Sequence, residues 1–95
     1  MPAPTMPEAK AWAQKDGSTH QDADVTAALA TEKANQANVC TVPADADTWP
    51  ADLAEALLRR VHRNLATAGV PLGLDGDDAD EIRRLEGPHR RLPVG

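Results

Sequence analysis

Hydrophobic and polar positions fall into four segments of helical period, separated by stretches rich in proline, glycine and aspartate. The clearest begins at Trp49 and ends at Gly69. At about 100° per residue, Leu53, Ala54, Leu57, Leu58, Val61, Leu65 and Ala68 share one arc of roughly 140°. The opposite arc carries Asp52, Glu55, Arg59, Arg60 and Arg63. Trp49-Pro50 opens this helix, and Asp52 favours its N-terminal dipole. Glu55 precedes Arg59 by one turn, while Gly69 and Pro71 stop the helix.

A longer helix is predicted from Asp22 or Asp24, either of which can cap it, to about Cys40. Val25, Ala28, Leu29, Val39 and Cys40 lie on one face, but Glu32 and Gln36 fall on the same stripe. Two polar residues there imply that the helix is partly exposed in a monomer, or that a neighbouring subunit satisfies them. Upstream, Pro7 suits the first turn of a short helix over 8–14 with Trp12 as its apolar anchor, and Lys15-Asp16-Gly17-Ser18 breaks it. Residues 41–48 read as a loop and 74–80 as a turn. Asp77 or Asp78 can cap a fourth helix through Glu86, with Ile82 and Leu85 on its apolar side. The expected fold is all-α, a small bundle of about four helices. A flexible N-terminal arm (1–7) precedes a helical domain (8–86), and an extended C-terminal arm (87–95) needs a surface to lie on.

Composition weakens the core that this pattern promises. Of the hydrophobic 41%, eighteen residues are alanine, with nine Leu, six Val, one Ile, two Trp and neither Phe nor Tyr. Alanine buries little area against chain entropy, so the monomer is expected to be marginal and to gain stability from copies of itself or a partner. Net charge is −5, unevenly spread. Residues 1–55 hold three Lys against nine acids, and residues 56–95 hold seven Arg against six acids. Arginine suits bidentate, partly buried pairing, which marks Arg59, Arg60, Arg63, Arg83, Arg84, Arg90 and Arg91 as candidate partner-binding residues.

Candidate chemistry adds little. One cysteine, Cys40, excludes an internal disulfide framework. His20, His62 and His89 are scattered without a second ligand one turn away, so no metal site is expected. Asp75 to Glu81 places Gly76 wrongly for a calcium loop and reads as a turn with a helix cap. Ser18, His20 and Asp22 lack the strand–turn–helix context of a nucleophilic triad, and no phosphate-binding glycine loop is present. The expectation is a non-enzyme without cofactors. No basic region followed by an apolar stretch opens the chain, and no apolar run approaches membrane-spanning length, so a soluble cytoplasmic product is expected. The arginines raise nucleic acid as a partner, but a pI near 5.0, interleaved acids and the scarcity of aromatics weigh against it.

The string WPADLAEALLRRVHRNLATAGVPLG, followed by DEIRRLEGPHRRLPVG, resembles the head-to-tail adaptor, or head-tail connector, proteins of tailed bacteriophages, particularly of actinobacterial hosts. The stretch EAKAWAQKDGSTHQDADVTAALATEKANQANVC is similar to that family's opening, with Glu32 and Gln36 replacing small apolar residues. The resemblance covers residues 8–95. It implies a helical head-completion protein that joins the virion at the neck after assembly in the host cytoplasm. It also implies a ring, expected to be dodecameric, between the portal protein and the next tail-side protein, helping to retain packaged DNA in the channel. The C-terminal arm of such adaptors docks on the portal, which makes His89, Arg90, Arg91, Leu92 and Val94 candidate contacts. The alternative reading is a small helical nucleic-acid-associated or partner-binding regulatory protein.

Overall fold

The strongest amphipathic segment of the sequence becomes the centre of the molecule. The computed structural model describes residues 3–17, 19–43, 45, 47–66 and 77–90, with side chains for all of these but 16 and 77–79. Four α-helices appear among them: α1 (Met6–Ala13), α2 (Asp22–Val39), α3 (Ala51–Ala66) and α4 (Asp77–Glu86). Short 3-10 turns follow α1 at Gln14–Asp16 and α4 at Gly87–His89. Helix α3 touches each of the other three, and α1 also packs on α2. The fold is a small all-α bundle, as the periodicity predicts.

Leu53, Leu57 and Val61 on α3 are fully buried, and Leu58 nearly so. They form one cluster with Val25 and Ala28 of α2, Ala9 of α1, Cys40 and Trp49. Ala56 is also fully buried although it lies outside the predicted apolar arc. The buried arc of α3 therefore widens to roughly 200° at 100° per residue, as befits a helix enclosed on three sides. Ala9, Ala13, Ala54 and Ala56 are all buried, so small side chains sit where helices pack. Ile82 and Leu85 supply the buried side of α4.

Helix ends follow local chemistry more than the apolar pattern. Helix α1 starts two residues earlier than expected, because Glu8 Oε1 accepts from the Thr5 backbone N–H at 3.3 Å and from Thr5 Oγ1 at 3.0 Å. Ala3 is buried in the core cluster and Met6 packs against it, so the domain reaches back into the expected N-terminal arm. Gly17 has φ +90°, a left-handed conformation that glycine adopts without strain, and this ends the 3-10 turn. Helix α2 begins at Asp22, yet neither Asp22 nor Asp24 is its cap. Gln21 holds that position without a side-chain bond, and Asp22 instead pairs with Lys10 at 2.6 Å. Pro50 precedes α3 and its carbonyl accepts the first helical bond, from Ala54 N–H at 3.0 Å. The expected capping by Asp77 or Asp78, and the stop at Gly69, lie outside the described side chains and residues.

Truncating a fully buried leucine at the centre removes contacts with several neighbours at once. Leu57→Ala should destabilise by about 3 kcal/mol. In a domain of this size the thermal midpoint, read by circular dichroism, should fall by more than about 10 °C. Ala34→Ser, on the exposed side of α2, should change stability by less than about 0.5 kcal/mol.

Candidate functional site

Three helices converge on one carboxylate. Glu86, the last residue of α4, has no solvent exposure. From α3, Arg60 grips it in a bidentate pair, with Nε donating to Oε2 at 2.6 Å and Nη2 to Oε1 at 2.7 Å. From α2, Gln36 Nε2 donates to the same Oε2 at 2.9 Å and to the Leu53 carbonyl at 3.2 Å. Arg90 Nη2 stands 3.6 Å from Oε1. The network continues outward, because Arg60 Nη1 lies 3.8 Å from Glu32 Oε1. Glu32 Oε2 in turn accepts from Asn64 Nδ2 at 2.8 Å.

Glu32 and the Gln36 amide nitrogen therefore find their partners inside the chain. The expectation of a partly exposed helix holds, since most of α2 faces solvent, while Glu32 and Gln36 themselves find partners within the chain. Gln36 is fully buried, and only its Oε1 has no hydrogen-bond partner.

The electrostatics reinforce the pairing. Burial by itself would raise the Glu86 carboxyl, but hydrogen bonds from Arg60 and Gln36, with the charges of Arg60 and Arg90, hold it below its ordinary value of 4.5. The hydrogen bond to Glu86 raises Arg60 further above its ordinary range despite burial. Cys40 adjoins this network and is fully buried. Burial, then the nearby Glu86 charge, push its thiol above the ordinary 9.0. A carboxylate locked by arginine and a thiol held neutral are poorly placed for acid–base or nucleophilic work. The arrangement acts structurally, tying the ends of α2 and α4 to the middle of α3.

The candidate partner-binding arginines separate under this geometry. Arg60 is committed to the internal network and is unsuited to contact a partner; its side chain is 17% exposed and that of its partner Glu86 not at all. Arg59 donates to Glu55 at 3.0 Å and lies 5.7 Å from the Trp12 ring, whose other cation is Lys15 at 4.1 Å. Arg63 is half-buried, one turn further along α3. Arg83 pairs with Asp80 at 3.1 Å and Arg84 with Glu81, all through side chains on the outside of α4. Surface pairs of this kind contribute about 0–1 kcal/mol, so Arg83 and Arg84 can exchange partners cheaply. His89 sits 2.7 Å from Asp52 and is half-buried. Burial would raise Asp52, but the His89 and Leu53 N–H hydrogen bonds hold it below its ordinary 3.8. Arg91, Leu92 and Val94 lie outside the described residues.

The remaining sequence candidates do not assemble. Asp22 is engaged by Lys10, His20 N–H donates to Gln14 Oε1 at 3.1 Å, and Ser18 lies outside the described residues. His20 and Asp24 line an open cleft of about 310 Å³ between α2 and α3, with Thr31, Asn64 and Leu65. Among the described residues no three His, Cys, Asp or Glu side chains stand together as a metal site, and no helix is long and apolar enough to cross a membrane. No protein-family model, curated protein or solved structure matches the chain.

Sequence reasoning missed Glu86 and misplaced Arg60. A signal was present, since Arg60 falls only about 20° from Leu53 on a helical wheel at 100° per residue. That position borders the apolar arc rather than opposing it.

Removing one member of the pair strands the other's charge. Arg60→Met should therefore destabilise by about 3 kcal/mol, whereas the double variant Arg60→Met/Glu86→Leu should recover most of that loss in urea titrations. Non-recovery would mean that the pair adds net stability instead of fixing how the helices meet. The pH dependence has two limbs. Glu86 and Asp52 are lower in the folded chain, so their stabilisation is complete above the ordinary carboxylate values and is lost as pH falls through the folded ones. Cys40 is raised, so its contribution is complete below 9.0 and is lost as pH climbs beyond it. Glu86→Gln should flatten the acid limb and Cys40→Ala the alkaline limb in unfolding measured against pH.

Proposed function

We propose that this chain is a head-to-tail adaptor of a tailed bacteriophage, a structural virion protein without catalysis that forms a ring between the portal and the next tail-side protein. The observation that carries the reading is the likeness of residues 49–73 and 81–95 to that family's helix and C-terminal strings. The four-helix architecture is the kind of fold the reading requires. An acidic chain with pI near 5.0 also suits a protein that surrounds DNA in a channel without gripping it.

The geometry redistributes the contacts such a ring would use. Helix α3 is enclosed by its neighbours, so lateral packing falls to outward surfaces. The outer side of α2 carries exposed Ala23, Ala27, Ala30 and Ala34, spaced three or four residues apart. Small side chains there would let a neighbouring helix approach closely. Arg83 and Arg84, exposed and cheaply re-paired, suit contacts with acidic groups on a neighbour. Residues beyond Arg90 would reach the portal.

The test is co-assembly with a tailed-phage portal protein, followed by sedimentation and electron microscopy. Wild type should decorate the portal as a ring of matching symmetry, expected to be twelve-fold by the resemblance. Deletion of residues 91–95 should abolish portal association while leaving helical content intact. Ala30→Arg should block ring closure with the monomer still folded. Absence of portal binding by the wild-type chain, together with duplex DNA binding that falls steeply with salt, would replace this reading with a nucleic-acid-associated one.

A further inference from the structure

The segment that follows Glu86 lies beside the buried network yet has no fully buried residue of its own. The 3-10 turn Gly87–His89 has no buried residue, and Gly87, Pro88 and Arg90 are exposed. Its attachments are polar. Thr41 N–H donates to the His89 carbonyl at 2.8 Å, and Cys40 and Arg90 form an isolated antiparallel bridge. His89 Nε2 lies 2.7 Å from Asp52 Oδ1, and Arg90 reaches Glu86 at 3.6 Å. Beside this segment Cys40 and Glu86 are completely shielded from solvent. At its root, a Cβ added to Gly87 would meet no atom within 4 Å, so the chain there is not wedged in place.

We propose that residues 87–90 form a releasable clasp, which swings about Gly87 while the four helices stay folded and uncovers Cys40 and the 40–41 backbone. Opening forfeits little apolar burial, chiefly that of Cys40, and a few polar contacts that water can replace. Such segments occupy the low end of the range of local opening free energies. Once released, residues 87–90 leave the bundle, and the freed Thr41 N–H presents an unpaired edge to any extended segment. The Arg60–Glu86 pair belongs to α3 and α4 and stays closed. This inference does not depend on the adaptor reading.

Cys40 is the sole cysteine of the chain and so reports opening directly. The experiment is alkylation by iodoacetamide under native conditions at fixed pH, followed by mass spectrometry. Clasp release predicts that His89→Ala speeds labelling about five-fold or more, with global stability lowered by no more than that factor represents. Leu65→Ala lowers global stability away from the clasp and should leave native labelling unchanged. Acceleration of labelling by Leu65→Ala in proportion to its loss of global stability would overturn the proposal. Should His89→Ala fail to fold, the wild-type rate against urea decides. A rate independent of low urea supports local release, and a slope equal to that of global unfolding refutes it.

Discussion

Taking the Glu86 carboxylate out of water has a desolvation penalty of several kcal/mol, and the meeting of α2, α3 and α4 follows from how that penalty is offset. Arg60 must come from the middle of α3, Gln36 from the last turns of α2, and both must reach the same two oxygens. A shift of any helix by one turn would move its donor about 5.4 Å away. The network therefore fixes register in a way that alanine and leucine contacts cannot, because apolar packing tolerates sliding far better than a bidentate hydrogen-bonded pair. In a chain whose interior is thin, specificity of arrangement rests heavily on this polar centre.

Much of the fold was legible in the sequence, and the part that was not has a common cause. Helix α3 is visible because Leu53, Leu57, Leu58 and Val61 repeat at the helical period, which local geometry alone dictates. The limits of α2 and α4 come within about two residues from proline, glycine and aspartate signals. Glu32 and Gln36 stand out as misfits on the stripe of α2, yet their partners sit seventeen to fifty residues away, at Leu53, Asn64 and Glu86. Periodicity carries no information about which distant polar groups meet. Arg60 reads as solvent-facing because it is charged, although its angular position borders Leu53. The early start of α1 is a smaller case, in which Thr5 and Glu8 form a legible capping signal that outweighs the placement of Pro7.

The arginine-rich second half invites a single explanation, but its members do different work. Arg60 is buried against a carboxylate and cannot be moved without stranding a charge. Arg59 spans Glu55 and the Trp12 ring, tying α3 to α1 through a cation–π contact in addition to an ion pair. Arg83 and Arg84 pair with acids on their own helix, three residues away and in solvent. Only the last kind leaves charge available to an incoming partner at low cost. The surplus of arginine in this half thus divides into a part that builds the fold and a part that remains on the surface.

Glu86 joins these two roles, because it ends α4 and the segment held only by polar contacts begins at the next residue. Its carboxylate is held from below by Arg60 and Gln36 and approached from above by Arg90. The inner bonds are short and shielded, and the outer contact is long and exposed. Strain applied to the C-terminal segment would therefore break the outer contacts first and stop at the inner pair, where further opening would strand a buried charge. The same carboxylate that fixes helix register also sets the point beyond which the C-terminal segment can peel without unfolding the bundle.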